Sequence, residues 1–347
     1  MPGPNPFPAA RPVNVAVVGL GFMGVTHLRA YLGHPLARVL AVCDPSRLPV
    51  NGVLAGVAGN IQKAGDLHVG PDVKVFRRLE DLLGEAEVDL VDICTPTPLH
   101  PAQAIAALKA GKHVLCEKPL ARTAAEAREI LAVAQNSPGF LMPAMCLRFW
   151  PGWRWLKDVV TAKTHGAVLA ARFRRVSALP AWNRAGGGDH GGALFDLHIH
   201  DSDFVNFLFG RPQSVFSRGV AAADGAIHHV VTQYDYPGGP AVHAEGSWLL
   251  AHGFDMAYTL YCERATLDYD LARSADALVI TQLGGLPRAV PPTGTDGYEG
   301  EIDYFLGCIG LRQAPHTVTA ADGLTALEIC EAEEKSVRTG VPVEIWH

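Results

Sequence analysis

Three glycines near the start of the sequence have the spacing of a dinucleotide-binding turn. Gly19, Gly21 and Gly24 form the pattern G-x-G-x-x-G, with Phe22 and Met23 between the second and third glycine. The pattern directly follows an apolar run and precedes a predicted helix. Gly19 permits a tight turn, Gly21 lets the backbone approach a pyrophosphate, and Gly24 allows close helix–strand packing. Unpaired N–H groups at the start of the helix favour phosphate binding.

An acidic residue strengthens this interpretation of the glycine motif. Asp44 ends the second apolar run, 20 residues after Gly24, where a carboxylate accepts hydrogen bonds from an adenosine ribose. A carboxylate also repels a 2′-phosphate, so Asp44 favours NAD over NADP, although Arg47 nearby would soften that preference. The alternative, a glycine-rich turn in an ordinary α/β protein, leaves Asp44 unexplained. The motif therefore predicts NAD as the cofactor, with NADP possible.

Two further stretches carry side chains that can move protons. Lys118 lies in a Glu-Lys-Pro sequence just after the apolar run His113–Cys116, at the sheet edge where ligands of open α/β sheets bind. Farther along, Asp196 and His200 are four residues apart in a predicted helix and therefore share a face. Residue types alone leave simpler interpretations open. Lys118 would then be a solvated lysine, Asp196 a helix cap and His200 an interior histidine.

The first half of the sequence alternates short apolar runs with helix-like segments. The predicted strands are Val13–Val18, Val39–Cys43, Val73–Phe76, Leu90–Cys94, His113–Cys116 and Phe140–Met145, and the clearest predicted helices are Ala102–Ala110 and Ala124–Ala134. This alternation predicts βαβ units in a doubly wound parallel sheet, a Rossmann fold. The segment Pro45–Asp72 is less regular and is expected to hold one helix and loops.

After Leu147 the pattern changes to consecutive strands with short turns. The predicted strands are Val168–Ser177, Val215–Val220, Ile227–Tyr236, Val242–Leu250, Met256–Cys262, Ala265–Asp268, Ala277–Ile280 and Val341–Trp346, and the predicted helices are Trp153–Ala162, Leu194–Phe209, Gly297–Ile309 and Ala320–Thr339. This pattern predicts an α+β domain with a largely antiparallel open sheet. We therefore expect a disordered Pro-rich tail over residues 1–12, a dinucleotide-binding domain over residues 13–147 and an α+β domain over residues 148–347.

Composition narrows the classes of function. Apolar residues make up 48% of the 347 residues, as in globular proteins, and no apolar run reaches the roughly 18 residues that span a bilayer. The first residues lack the basic start and apolar stretch of a signal peptide, so a cytoplasmic location is expected. A net charge of −6 argues against nucleic acid as a partner. Arg172, Arg174 and Arg175 are expected on a solvated or inter-subunit strand face, or otherwise at an anionic substrate group.

Several motifs recur here in the order and spacing of one enzyme family. Beside the glycine motif they are Thr95-Pro96-Thr97 with His100, the Gly-Lys-His-Val and Glu-Lys-Pro sequences of residues 111–119, Arg148-Phe149 with Pro151, the Asp-x-x-x-His of residues 196–200, and Ala321-Asp322-Gly323 with Ser336-Val337-Arg338. Over nearly its whole length the chain closely resembles the Gfo/Idh/MocA family of glucose–fructose oxidoreductase, inositol dehydrogenase and rhizopine-catabolism proteins. The resemblance implies a C-terminal domain that binds substrate and forms homodimers or homotetramers through its sheet.

The resemblance assigns catalytic roles to Lys118, Asp196 and His200. Hydride leaves a secondary alcohol only as a base takes the hydroxyl proton, and histidine suits this exchange at neutral pH. Asp196 would orient the imidazole and stabilise its charged form, and Lys118 would donate to the substrate oxygen. The resemblance also predicts a cis bond before the proline of Glu-Lys-Pro. The residues that it implies along the cofactor are Thr95, Pro96, His100 and Glu117.

The sequence departs from the family around the Asp-x-x-x-His motif. His198, and His190 before it, stand where members often carry glycine, so that with Asp196, His200 and Asp201 they superficially resemble a metal site. His198 and His200 are only two residues apart, whereas zinc-binding pairs on helices prefer spacings of three or four. The seven cysteines contain no Cys-x-x-Cys sequence. We therefore expect no metal and predict that the extra histidines alter the substrate pocket.

These features together predict an NAD(P)-dependent dehydrogenase acting on a hydroxyl or ketone of a sugar, cyclitol or related polyol. Trp182 and Arg184 would suit a polyhydroxylated ring, and Arg148 would either contact substrate or pair with a carboxylate. One rival is an NAD-dependent glycoside hydrolase that uses transient oxidation, and release of NADH would favour the dehydrogenase over it. The other is a non-catalytic NAD- and sugar-sensing regulator, against which the three predicted catalytic residues argue.

Overall fold

The computed structural model describes residues 11–57, 65–180 and 191–345 of the chain. Most of the predicted Pro-rich tail lies outside the described residues, as do Trp182, Arg184 and His190. In the part of the chain that is described, no helix is long and apolar enough to cross a membrane. The cytoplasmic location stays a prediction.

The described residues form helices and strands that are numbered here in chain order. The helices are α1 (Phe22–Tyr31), α2 (Leu79–Leu83), α3 (His100–Lys109), α4 (Ala124–Ala134), α5 (Pro151–Thr161), α6 (Ile199–Phe209), α7 (Gly297–Leu311) and α8 (Ala320–Thr339). The strands are β1 (Val13–Val18), β2 (Ala37–Cys43), β3 (Val53–Leu54), β4 (Leu67–His68), β5 (Lys74–Phe76), β6 (Leu90–Ile93), β7 (His113–Cys116), β8 (Leu141–Pro143), β9 (Val168–Ala178), β10 (Ser214–Ala221), β11 (Ile227–Asp235), β12 (Ala241–Ser247), β13 (Leu249–Cys262), β14 (Ala265–Asp270), β15 (Leu278–Gln282), β16 (Pro287–Ala289) and β17 (Val343–Glu344). A π-helical turn, Leu194–His198, directly precedes α6.

The chain divides into two compact units. The first comprises residues up to Ala121, Ala125–Cys146 and Asp296–Gly323, and the second comprises Arg122–Ala124, Leu147–Thr295 and the segment from Leu324 onward. The return of α7 to the first unit differs from the single predicted border after residue 147. Its physical reason is packing, because Tyr298 of α7 lies against His27 of α1 with ring centroids 6.4 Å apart. Hydrophobic periodicity predicts that a segment is helical, but it does not predict which unit the helix packs in.

The first unit is built on a six-stranded parallel sheet with the order β5-β2-β1-β6-β7-β8. Every residue of β1 and β6 is buried, as expected of central strands covered on both faces. β1 pairs in parallel with β2 on one side and with β6 on the other, so the order of strand addition reverses there. Open α/β sheets bind ligands outside the carboxyl ends of the strands at such a point. The predicted Rossmann architecture is confirmed.

The second unit holds a nine-stranded sheet with the order β16-β15-β14-β13-β9-β12-β11-β10-β17. Only β9 and β12 pair in parallel within it, so the predicted largely antiparallel sheet is confirmed. One face packs around Trp153, whose ring lies 5.0 Å from that of Phe204 and 5.1 Å from that of Tyr258. On the other face Val231 and Tyr261 are 39% and 49% exposed.

Differences between predicted and observed elements are local. The predicted strand Val242–Leu250 ends at Ser247, and β13 begins at Leu249 and runs for 14 residues. In its described part, the segment Pro45–Asp72 contains the strand pair β3–β4 and not a helix. The sequence pattern does not predict α2 or β16, which have five and three residues. Elements of that length are too short to show a hydrophobic periodicity in the sequence.

Candidate functional site

The glycine motif has the backbone geometry that its sequence predicts. Gly19 has a φ of +88°, and a Cβ there would lie 2.7 Å from the carbonyl oxygen of Cys94. A Cβ on Gly24 would lie 1.8 Å from the Gly19 carbonyl oxygen, whereas one on Gly21 would meet nothing within 4 Å. Gly21 is also the N-cap of α1 and makes no side-chain cap. The turn is therefore closed by Gly19 and Gly24 and leaves open space at Gly21, as a pyrophosphate-binding turn requires.

Asp44 fastens the glycine motif to the loop after β2. Its Oδ2 accepts the Leu20 N–H at 2.8 Å, and its Oδ1 accepts the backbone N–H groups of Ser46 and Arg47 at 2.9 and 2.7 Å. Burial alone would raise the pKa of Asp44, but these backbone hydrogen bonds outweigh it and lower the pKa. Oδ1 is fully used by these donors and the Ser46 hydroxyl. Within the described residues Oδ2 accepts from the Leu20 N–H alone, and it retains capacity for a ribose hydroxyl.

The Lys118 segment follows β7 at the carboxyl edge of the parallel sheet. The Lys118–Pro119 bond is cis, as the resemblance predicts. Lys118 is partly exposed whereas both of its neighbours are buried. Its backbone N–H donates to Oε2 of Glu117 at 3.0 Å. The other end of the segment is held by His100, whose Nδ1 lies 2.8 Å from the Pro119 carbonyl oxygen and whose Nε2 lies 2.7 Å from that of Thr95.

A buried polar cluster lies behind this segment in the first unit, and sequence reasoning missed it. Nδ1 of His27 is 2.9 Å from Oδ2 of Asp92, and Nε2 is 3.3 Å from Oε1 of Glu117 and 3.6 Å from Oε1 of Glu301. Burial opposes the imidazolium, yet Asp92 and Cys94 raise the pKa of His27 well above its ordinary value. Burial raises the pKa of Glu301 well above its ordinary value. One signal was available in the sequence, because Asp92 interrupts an apolar strand.

Three members of this cluster have the donor types of a metal site. The ligand atoms of His27, Asp92 and Cys94 lie within 4.8 Å of one another in the part of the chain that is described. The shortest separation is the 2.9 Å between nitrogen and oxygen, which is a hydrogen-bond length. Burial raises the pKa of the Cys94 thiol, and a protonated thiol is a poor ligand. Hydrogen bonding therefore accounts for the cluster.

In the second unit, Asp196 and His200 have the same distinctive environment. Both are partly exposed, whereas every other residue between Gly191 and Val205 is buried. The sequence predicts an ordinary α-helix here, whereas Leu194–His198 forms a π-helical turn. Such turns occur frequently at functional sites. The shared exposure is consistent with the predicted common face, and the wider turn is the difference from the prediction.

His198 points into the interior of the second unit. Its side chain is fully buried, with Nε2 3.3 Å from the hydroxyl of Tyr234 and 3.4 Å from Oε1 of Glu333. A Cβ on Gly246 would lie 2.5 Å from the His198 Cβ, so this glycine makes room for the imidazole. Full burial is inconsistent with direct contact between His198 and a substrate. That His198 alters the substrate pocket stays a prediction, and its burial restricts any such effect to an indirect one.

Arg148 has the carboxylate partner that was its alternative role. Its Nε donates to Oδ2 of Asp203 at 2.9 Å, and both side chains are almost fully buried. The guanidinium also lies 4.4 Å from the centroid of the Phe207 ring. These contacts favour the ion pair over a substrate contact. We therefore do not retain Arg148 among the proposed substrate contacts.

The arginines of β9 divide between the two faces of the sheet. Arg172 is exposed, and Arg174 is half-buried and pairs with Asp255. Arg175 is buried, and its Nε donates to Oδ2 of Asp201 at 2.7 Å. The expected solvated face therefore applies to Arg172 and is wrong for Arg175, because neighbouring strand residues point to opposite faces.

Comparisons with known proteins agree with the folds of the two units. Residues 13–144 match the model of the GFO/IDH/MocA oxidoreductase family, NAD-binding Rossmann fold, and residues 153–268 match the GFO/IDH/MocA C-terminal domain. Trans-1,2-dihydrobenzene-1,2-diol dehydrogenase of Mus musculus is 34% identical over 287 residues, which cover 78% of this chain and 83% of the mouse protein. 1,5-Anhydro-D-fructose reductase of Ensifer adhaerens is 36% identical over 139 residues, 39% of this chain and 42% of that protein.

A solved structure gives the same result for the fold. Levoglucosan dehydrogenase in complex with NADH and L-sorbose superimposes with a TM-score of 0.81 at 19% identity, covering 97% of this chain and 100% of that one. The predicted resemblance, fold class and nicotinamide cofactor are confirmed. The chain belongs to the Gfo/Idh/MocA family of NAD-binding oxidoreductases.

Proposed function

We propose that this protein is a dehydrogenase that transfers a hydride between NAD and a hydroxyl or ketone of a sugar, cyclitol or related polyol. The observation that carries the proposal is the exposure of Asp196 and His200 on an otherwise buried helical segment. An oxidoreductase that removes hydride from an alcohol needs a proton acceptor within reach of its substrate. An imidazole together with a carboxylate can accept that proton. The named relatives support the substrate class, because one is a diol dehydrogenase and a similar structure contains L-sorbose.

The proposed mechanism divides the work among three side chains. The nicotinamide of bound NAD supplies the acceptor for the hydride. His200 takes the proton of the reacting hydroxyl, and Asp196 holds the imidazole in one orientation and stabilises its charge. Lys118 donates to the reacting oxygen and stabilises negative charge that builds there. In the reverse direction His200 returns the proton as the ketone is reduced.

We propose NAD as the preferred cofactor and NADP as a weaker alternative. Gly21, Phe22 and Met23 would face the pyrophosphate, with N–H groups at the start of α1. Oδ2 of Asp44 retains capacity for one ribose hydroxyl and repels a 2′-phosphate. Arg47, whose backbone N–H donates to Oδ1 of Asp44 at 2.7 Å, would moderate that repulsion through its positive charge. Thr95, Pro96, His100 and Glu117 stay predicted cofactor-site residues.

We propose that a second copy of the chain covers the exposed face of the nine-stranded sheet. Val220, Val231 and Tyr261 on this sheet are between 39% and 51% exposed, and the neighbouring Arg174 and Asp255 pair with each other. Exposed apolar side chains rimmed by both signs of charge are typical of surfaces that bind a copy of themselves. Light scattering on the parent and on Val231→Glu tests this, because the variant should shift toward monomer.

A substrate panel tests the proposed function directly. Purified protein and NAD are mixed with sugars, cyclitols and polyols, and NADH is followed by its absorbance. NADH that accumulates in step with a carbonyl product supports the dehydrogenase. Cleavage of a glycoside without NADH accumulation would identify the hydrolase, since that enzyme recycles its cofactor. Binding of NAD and sugar without any turnover would identify the regulator.

A further inference from the structure

Two buried histidines of the first unit contact the Lys118 segment from its two ends. His27 faces Glu117, which accepts the Lys118 backbone N–H, and His100 faces the carbonyl oxygen of Pro119. We propose that His27 and His100 are positioning residues that together fix the backbone carrying Lys118. The inference rests on the proposed function, in which Lys118 acts on the reacting oxygen. Neither histidine is proposed to touch substrate, because both are at most 1% exposed.

The first contact runs from α1 through Glu117 to the lysine. Oε1 of Glu117 lies 3.3 Å from Nε2 of His27 in an ion-pair contact without hydrogen-bond geometry, and Oε2 accepts the Lys118 N–H at 3.0 Å. The two oxygens of one carboxylate therefore join the imidazole to the peptide group of the lysine. Burial opposes the charged carboxylate, but His27, the positive charge of Lys118 and the Lys118 backbone N–H outweigh it and lower the pKa of Glu117. A charged acceptor makes the stronger hydrogen bond to a backbone N–H.

The second contact runs from α3 to the far side of the same segment. Both ring nitrogens of His100 face carbonyl oxygens, at 2.8 Å for Pro119 and 2.7 Å for Thr95. Burial lowers the pKa of His100, so the neutral ring has one N–H and donates to one of the two carbonyl oxygens at a time. The ring nevertheless lies between the loop after β6 and the loop after β7 and contacts both. The Oγ1 hydroxyl of Thr95 donates to Oε1 of Gln103 on α3 at 2.6 Å. The Lys118 segment is thereby attached to two helices of the Rossmann unit.

The composition of the His27 cluster favours a role in positioning over one in stability. One imidazole meets three buried carboxyl groups, those of Asp92, Glu117 and Glu301. Both oxygens of Glu301 lack a hydrogen-bond partner within the described residues, and burial raises its pKa. Replacing such groups with apolar side chains is commonly neutral or stabilising. Retained polar groups of this kind therefore indicate a specific geometry that the apolar alternative would lose.

A pair of conservative substitutions tests the His27 contact. Glutamine places its side-chain amide near the position of Nε2 and still donates to Glu117, whereas asparagine places its amide near Nδ1 and loses that contact. We expect His27→Asn to lower kcat about tenfold or more, since displacements near 1 Å at a catalytic group have costs of this order and larger. His27→Gln should retain most of kcat, and KM should change little in both. Equal kcat values in the parent and His27→Asn would overturn the proposal.

The matched control is Leu28→Ala on the same helix. Leu28 is fully buried, and its apolar side chain cannot form a hydrogen bond or an ion pair with Glu117, so its truncation removes packing without removing the polar contact of His27. We expect a lower melting temperature with an unchanged kcat at a temperature where the variant is folded. If Leu28→Ala lowered kcat as much as His27→Asn, the histidine would have only a structural role and the proposal would be overturned.

Amide hydrogen exchange reports the positioning without any turnover. Exchange in a peptide covering residues 114–121 should quicken in both histidine variants. His27→Asn removes the contact that holds Glu117, the acceptor of the Lys118 N–H, and His100→Asn removes the contact with the Pro119 carbonyl oxygen. It should stay at the parent rate in Leu28→Ala. Unchanged exchange in both histidine variants would overturn the inference and leave the proposed function intact. One equivalent of tightly bound zinc in the purified parent would also overturn it, since His27 would then be a metal ligand.

A double-mutant cycle separates this inference from the proposed function. If His27 acts through Lys118, His27→Asn should have little further effect on kcat in a Lys118→Ala background. Additive losses would overturn the positioning role while Lys118 kept its own. Parent-like activity in Lys118→Ala alone would instead contradict the proposed function, on which the inference rests.

Discussion

A histidine acts as a general base only if substrate can reach it and its ring is held in one orientation. His200 meets the first condition because it is partly exposed on a segment that is otherwise buried, and it shares that property with Asp196. His198, between them, is fully buried against Tyr234 and Glu333. His198 therefore faces the interior of the unit, whereas Asp196 and His200, each two residues away from it, face solvent.

Substitution of the proposed catalytic residues should slow the hydride-transfer step. In Lys118→Ala, Asp196→Ala and His200→Ala we expect kcat to fall about 10²-fold or more, the scale of general-base or electrostatic help. Combined variants should lose much less than the product of the single losses. NAD affinity, measured by fluorescence titration, should stay near the parent value in Asp196→Ala and His200→Ala, because the glycine motif belongs to the other unit. Full activity in the Lys118→Ala, His200→Ala double variant would contradict this assignment.

Substitution of Asp44 should change cofactor preference. Asp44→Ser should weaken NAD binding and improve NADP relative to NAD, because an acceptor for the ribose and a repulsive charge are both removed. The structure adds a second effect, because the carboxylate also holds the backbone N–H groups of Leu20 and Arg47. Calorimetric titration with both cofactors measures the preference. An unchanged ratio of affinities would exclude Asp44 from the adenosine site.

At the scale of the element, the strand–turn–helix around the glycine motif separates folding from binding. Gly21→Ala should leave the melting temperature unchanged, since the φ of Gly21 is −71° and an added Cβ meets nothing within 4 Å. The same substitution should weaken NAD binding, because the methyl group would occupy the space proposed for the phosphates. Gly24→Ala should lower the melting temperature, because its Cβ would lie 1.8 Å from the Gly19 carbonyl oxygen. Differential scanning calorimetry with and without NAD measures both. A stable Gly24→Ala that binds NAD normally would refute this division.

Local patterns predicted the elements well and their assembly less well. The strands Val13–Val18 and His113–Cys116 agree with prediction at both ends, because buried parallel strands are continuous apolar runs. The cluster around His27 was not predicted, since its members come from α1, β6, the segment after β7 and α7, and only packing brings them together. The π-helical turn at Leu194–His198 was also missed. One extra residue per turn changes no residue type, so sequence periodicity does not report it.

At the scale of the whole molecule, the second unit contains a buried pair of opposite charges that makes stability depend on pH. His198 lies 3.4 Å from Glu333, with Asp201 and its partner Arg175 also acting on it. Burial opposes the imidazolium, but the Glu333 carboxylate outweighs it and raises the pKa of His198. Because the folded-state pKa is raised, the pair contributes its full stability below the unfolded value of about 6.5. That contribution is lost as the pH rises through the folded-state pKa.

A comparison of His198→Gln with the parent tests this dependence. The parent should be more stable than His198→Gln below pH 6.5, and this difference in stability should shrink as the pH rises through the raised folded-state pKa of His198 and the histidine loses its proton. Urea unfolding at several pH values measures the free-energy difference directly. The exposed His252 provides the matched control, because His252→Gln removes a histidine without removing a buried contact. A gap for His198→Gln that stayed constant or widened with pH would mean that His198 is neutral in the folded protein, and its contact with Glu333 would then be a hydrogen bond without an ion pair.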